Sequence, residues 1–159
     1  MSSDPHSEDP RPGGVSYSFE THSDEETRDV GRRLAALLPH HAVVALTGDL
    51  GAGKTTLSQG IVEGRKAARA EDVSSPTFTL IHEYGEPASL YHIDLYRLAT
   101  AEEARRLGLE DIFDQDALVL LEWGDRFPEL LPTNTIRIHL SSGDDETRTI
   151  VVTSCPASR

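Results

Sequence analysis

The stretch Leu46-Thr47-Gly48-Asp49-Leu50-Gly51-Ala52-Gly53-Lys54-Thr55-Thr56 decides how the rest of the chain is read. Gly48, Gly53, Lys54 and Thr55 satisfy G-x-x-x-x-G-K-[ST], a loop whose backbone N–H groups converge on one anion. Gly48, Gly51 and Gly53 admit the positive φ angles that such convergence needs. The apolar run before it, Ala42-Val43-Val44-Ala45-Leu46, has the length of a buried strand. After it, Leu57 and Ile61 at i, i+4 spacing predict a helix over residues 55–62 with one apolar face. Strand, loop and helix in that order are the setting in which the motif cradles phosphate. The helix N-terminus contributes N–H groups and a favourable dipole, Lys54 a cation for the β- and γ-phosphates, and Thr55 a hydroxyl for Mg2+. Asp49, Leu50, Gly51, Ala52, Gly53, Lys54, Thr55 and Thr56 are therefore the candidate nucleotide-binding residues. A glycine-rich strand–helix turn with no ligand is the plain alternative.

At 159 residues the length predicts one domain with a core of its own. The formal net charge of -12 argues against a chain that grips nucleic acid alone, which would need a Lys/Arg-rich face. Any RNA is expected to be held by a partner. The single cysteine, Cys155, excludes an intrachain disulfide. No apolar stretch is long enough for a membrane helix and no signal-peptide core is visible, so the expected location is the cytoplasm.

Residues 1–14 carry three Pro, two Gly and several Ser, Asp and Glu, a composition expected of a disordered acidic tail. Val15 to Phe19 alternates as a half-buried edge strand does. Ser23-x-x-Glu26 has the form of a capping box, followed by the apolar stripe Val30, Leu34, Leu37 and Leu38. The basic run Arg65 to Arg69 is expected to be a solvated helix end. Residues 73–78 form a loop entering a strand at 79–84, and the turn Gly85-Glu86-Pro87 sends residues 90–94 back antiparallel to it. Thr100-x-x-Glu103 is a second capping box, opening a short helix through Leu107, with another over 109–113. Ala117 to Leu121 is a second continuous apolar run, fit for a buried central strand. Residues 136–140 and 149–152 pair as a final hairpin. The single domain is expected to span 15–153, with a flexible C-terminus at 154–159. The fold class is α/β, a mixed sheet with a parallel centre carrying the phosphate loop and antiparallel edges.

A P-loop needs acids near the phosphates, one for Mg2+ and another to orient or activate water. Strands parallel to residues 42–46 deliver their carboxyl ends to the edge that carries the loop. Two runs end in an acid there, residues 90–94 and 118–122. Asp94 is assigned to Mg2+, directly or through water. Glu122 is assigned to the attacking water and counted with Asp94 and Thr55 among the metal-site residues. Each acid has a structural alternative, capping a strand or pairing with Arg97 or Arg126. His92 reads as a packed strand histidine or a proton carrier. Trp123, beside a candidate acid, reads as core or as a neighbour of the nucleotide. Thr77, behind Pro76, has the position of a switch hydroxyl that senses Mg2+ or the γ-phosphate. The N-K-x-D reader of guanine is missing, since the one asparagine, Asn134, precedes Thr135-Ile136-Arg137. No D-x-x-G occurs either, so adenine is favoured by elimination.

With these pieces in place the chain resembles the bacterial TsaE (YjeE) family over roughly Tyr17 to Leu140. The resemblance rests on Gly48 to Thr56, on Ser75-Pro76-Thr77-Phe78-Thr79-Leu80, on His92-x-Asp94-x-Tyr96-Arg97 and on Leu121-Glu122-Trp123. It implies an ATPase of tRNA threonylcarbamoyladenosine formation with a P-loop NTPase-like three-layer fold. Lys54 and Thr55 would hold phosphates and Mg2+, Asp94 would be the Walker-B-like acid, and Thr77 would belong to a switch-like loop. Glu122 would assist hydrolysis, with Trp123 close to ATP or ADP. It also implies two partners, TsaB-like and TsaD-like, the latter transferring threonylcarbamoyl to a tRNA adenosine while ATP hydrolysis here resets the assembly. Gly124 departs from the family, which often carries Pro or Ala there. A small-molecule P-loop kinase and a nucleotide-dependent binding module with incidental hydrolysis are the competing readings.

Overall fold

The computed structural model describes residues 6–8, 15–49, 51–73, 80–85 and 87–154. Eight strands form one sheet: β1 (His6–Glu8), β2 (Val15–Thr21), β3 (Ala42–Gly48), β4 (Ile81–Tyr84), β5 (Leu90–Asp94), β6 (Leu118–Glu122), β7 (Ile136–Ser142) and β8 (Arg148–Ser154). Their order is β1-β2-β8-β7-β3-β6-β5-β4. The four central strands, β7, β3, β6 and β5, run parallel, and every pairing outside them is antiparallel. The α/β class, the parallel centre and the antiparallel edges stand as expected.

The parallel centre follows from composition. All five residues of β6 are buried, as are Val43 to Leu46 of β3, and only a strand covered on both faces can be apolar on both. Side-chain alternation splits these residues between two cores. Val44, Leu46, Leu118 and Leu120 pack with α1 (Asp24–Leu37) and α2 (Lys54–Gly64) on one face. Val43, Val119 and Leu121 pack on the other with Leu98, α3 (Ala101–Arg106) and α4 (Leu109–Phe113).

Local signals set the helix ends. Ser23 caps α1 by accepting from the Glu26 N–H, but the Glu26 carboxylate accepts from the His22 N–H, one residue outside a strict capping box. At α3 the box is complete, Thr100 and Glu103 each accepting from the other's backbone. Leu37 departs from the expected stripe. Val30, Leu34 and Leu38 are buried at i, i+4, i+8, whereas Leu37 is 52% exposed. Arg65 is not merely solvated either, because its guanidinium donates to the carbonyls of Ala35, Leu38 and Pro39 at the end of α1. That satisfies acceptors a helix C-terminus leaves unpaired.

Two expectations about the N-terminus need correction. His6–Glu8, assigned by composition to a disordered tail, pairs with β2 in register His6↔Tyr17 to Glu8↔Val15. The strand at Val15 is therefore second from the edge. Residues 1–5, 9–14 and 155–159 lie outside the described residues, and with them the rest of the tail and Cys155. Among the described residues no helix is long and apolar enough to cross a membrane.

The helix pair α1–α2 crosses without side chains between the backbones. A Cβ at Gly31 would lie 2.5 Å from the Leu57 carbonyl oxygen, and one at Gly60 would overlap the Arg28 carbonyl oxygen. Arg32 Nε donates to Glu63 Oε1 at 2.9 Å across the same interface. We expect Gly60→Ala to force the helices apart and to cost about 1–3 kcal/mol, read as a lower urea midpoint. An unchanged midpoint would contradict the close crossing.

Candidate functional site

The register of the parallel strands assembles the site. Leu46 and Asp94 both stand opposite Glu122, in β3 and β5 respectively, so the phosphate loop leaves the sheet beside two acids. The loop between β3 and α2 and the two strand-end acids line a cleft of about 470 Å3. Gly51, Gly53, Lys54, Thr55, Thr56, Asp94, Glu122 and Trp123 all face it. These are eight of the predicted site residues. Asp49 is exposed and contributes its carbonyl, while the Ala52 side chain is buried in the core beneath the loop. Leu50 and Thr77 lie outside the described residues, as do all of residues 74–79.

Lys54 opens α2 behind Gly53, whose φ of 104° is in the left-handed region. Its ammonium donates to the Gly48 and Asp49 carbonyls at 2.7 and 2.9 Å and sits 4.6 Å from the Trp123 ring centre. Burial lowers its pKa from the ordinary lysine value, opposed by the carboxylates of Glu122, Asp49, Asp94 and Asp125. The cation is thus held over the loop by backbone oxygens and an aromatic face.

Glu122 is 4% exposed and its Oε2 is shared. His92 Nε2 lies 2.6 Å away and the Thr55 hydroxyl donates from 3.5 Å. His92 is fully buried, and its Nδ1 is, among the described residues, the one buried side-chain polar atom without a hydrogen-bond partner. Facing a carboxylate oxygen, Nε2 is the donor of this bond. His92 is therefore packed on the candidate acid itself, an arrangement common to both of its readings. Asp94, 2% exposed, accepts from the Tyr96 N–H at 2.8 Å through Oδ1.

Trp123 and Tyr96 form the lip of the cleft, ring centres 4.8 Å apart and tilted by 40°. Trp123 has φ 60°, unusual for a bulky residue and costing on the order of 1–3 kcal/mol. The turn behind it is tight. A Cβ at Gly124 would stand 2.5 Å from the Ala45 Cβ, and the Gly124 N–H donates to the Leu46 carbonyl. The glycine at this position is thus what this chain's turn requires.

The TsaE profile, described as "Threonylcarbamoyl adenosine biosynthesis protein TsaE", matches residues 21–150. The chain belongs to the TsaE family. Its relatives include the tRNA threonylcarbamoyladenosine biosynthesis protein TsaE of Bacillus subtilis, 38% identical over 86% of this chain and 84% of that one. The protein of the same name from Streptomyces coelicolor is 40% identical over 79% of this chain and 88% of its own. The crystal structure of Bacillus subtilis YdiB superposes with a TM-score of 0.69 at 32% identity, covering 87% of this chain and 85% of that one.

In this TsaE chain three cleft residues had no assigned role from sequence. Tyr96 enters the sequence reading only as part of the segment His92-x-Asp94-x-Tyr96-Arg97. Asp24 and Arg148 come from α1 and β8, remote in sequence from the loop they flank, and no local pattern marks them. The His92–Glu122 bond was equally unmarked, since it joins adjacent strands. We expect His92→Leu to strand the Glu122 carboxylate and lower stability by about 1–3 kcal/mol, with a smaller loss for His92→Gln. Equal stability of wild type and His92→Leu in urea titration would show that the bond does not hold Glu122.

Proposed function

We propose that this chain is the Mg2+-dependent ATP-binding and ATP-hydrolysing subunit of a tRNA threonylcarbamoyladenosine-forming system, acting with TsaB-like and TsaD-like proteins. The observation that carries the reading is the convergence of the phosphate loop, Lys54, Thr55, Asp94 and Glu122 on one cleft. Family membership supports the pathway, and the names of the relatives supply the modified nucleoside. ATP and Mg2+ are supported by the chemistry of the cleft.

The residues present fit both groups. The loop offers backbone N–H groups at a helix N-terminus with one ammonium beside them, a phosphate-binding arrangement. Thr55, Asp94 and Glu122 supply only oxygen donors, as a hard cation requires. Among the described residues no cluster of three or more His, Cys, Asp or Glu is gathered to hold a metal alone. Mg2+ needs none, because it is held by one or two carboxylates together with the phosphates of its ligand. When bound, it supplies charge neutralisation at the phosphate oxygens.

The chain's own groups divide the remaining work. Lys54 would exchange backbone carbonyls for phosphate oxygens, and Thr55 and Asp94 would hold the metal. Glu122, fixed on one oxygen by His92, orients the attacking water and accepts its proton. Trp123 and Tyr96 line the mouth of the cleft with aromatic rings, where a nucleotide would enter. An acidic chain acting through partners leaves tRNA to them, in keeping with a net charge of -12.

Lys54→Ala is expected to remove measurable ATP binding in calorimetry; unchanged affinity would overturn the ligand assignment. Glu122→Gln is expected to keep nucleotide affinity within several-fold while slowing phosphate release about a hundredfold or more. The discriminating assay measures phosphate from ATP and Mg2+ with the TsaB-like and TsaD-like proteins present and absent. Faster release with both, and no phosphorylated acceptor, is the expected result. A phosphorylated small molecule would identify a kinase instead. Wild-type complementation by Glu122→Gln without phosphate release would identify a binding module.

A further inference from the structure

Arg148, the first residue of β8, reaches the phosphate loop from the hairpin on the far side of the sheet centre. Its guanidinium lies against Gly53, the residue immediately before Lys54. A Cβ built there would be 3.1 Å from Arg148 Nη1 and 3.4 Å from its Cδ, so the missing side chain leaves the room the arginine occupies. Nη1 donates to Asp24 Oδ1 at 3.0 Å. That carboxylate, at the start of α1, is 63% exposed, whereas the arginine side chain is 22% exposed. Nε and Nη2 have no hydrogen-bond partner among the described residues.

We propose that Arg148 is a second phosphate-binding cation of the cleft, kept in place by Asp24 and completed by the nucleotide. The assignment rests on the nucleotide reading above and adds a residue to it. A half-buried guanidinium with donors to spare, lying on the loop residue that precedes the P-loop lysine, is placed to fork onto phosphate oxygens. The Asp24 pair is weak enough to yield, because an ion pair with one exposed partner contributes little. Asp24 also has a function of its own. It neutralises the arginine while the cleft is free and is the partner that phosphate replaces.

The test is calorimetric titration of ATP, ADP and AMP with Mg2+ into the full chain, comparing wild type, Arg148→Ala, Arg148→Lys and Asp24→Asn. Arg148→Ala is expected to weaken ATP by about tenfold or more. Arg148→Lys should recover part of that loss, Asp24→Asn should bind at least as well as wild type, and AMP should lose less than ATP. Thermal unfolding of each variant separates lost contact from lost fold. If Arg148→Ala does not fold, Arg148→Lys and Asp24→Asn carry the test, the first losing the fork and the second keeping it. Wild-type ATP binding matched by Arg148→Ala or, where that variant does not fold, matched by Arg148→Lys would overturn this assignment alone. No ATP binding by wild type would overturn the nucleotide reading and this one together.

Discussion

The parallel pairing of β5, β6 and β3 is the constraint on which the site depends. Parallel strands end at the same edge, and the register places Asp94 opposite Glu122 and Glu122 opposite Leu46. Two acids distant in sequence therefore arrive beside the loop that follows β3 without any further device. The same register forces both acids below the surface, because the strands carrying them are covered on both faces. The apolar runs that make the sheet stable are thus the cause of the electrostatic difficulty at its edge.

That difficulty is met group by group. A buried carboxylate without hydrogen bonds is costly, and each acid here has them: Glu122 from His92 and Thr55, Asp94 from the Tyr96 backbone. Lys54 is desolvated in turn, and the acids that disfavour each other favour its charge. The positive φ of Trp123 belongs to the same accounting. Strain of that kind persists only where surrounding structure over-determines it, and here the turn is clamped by Gly124 against β3 and by the Tyr96 ring.

Much of this was legible along the chain because it is local. Continuous apolar runs marked β3 and β6, capping residues marked α1 and α3, and the loop motif marked its own helix. Asp94 and Glu122 were legible one step further on, since strand ends parallel to the loop strand share its edge. Contacts between elements were not legible. Gly60 reads in sequence as a weak spot in a helix, and only the crossing with α1 explains it. Leu37 looked like core because a stripe of leucines does not reveal which of two adjacent residues lies over the sheet. His92, Arg65 and Arg148 all act on partners from another element, where chain order gives no spacing to read. The tail is a different case, because composition measures the apolar surface a segment can bury and is silent about backbone pairing with an exposed strand edge such as β2.

Charge at the cleft joins these threads. Its walls carry the carboxylates of Asp24, Asp94 and Glu122 against the cations Lys54 and Arg148, in a chain that is acidic throughout. A bare polyphosphate entering such a cleft meets net repulsion from the walls and from the long-range field. In the proposed assignment a divalent cation would reverse the balance at the point where the acids are concentrated, leaving the two basic side chains to meet the phosphates. If the proposed function holds, affinity for nucleotide and affinity for metal would be coupled by this arrangement, each ligand supplying the charge the other needs. On the proposed reading, the carboxylates that would oppose a nucleotide alone would favour the metal–nucleotide pair over either ligand by itself.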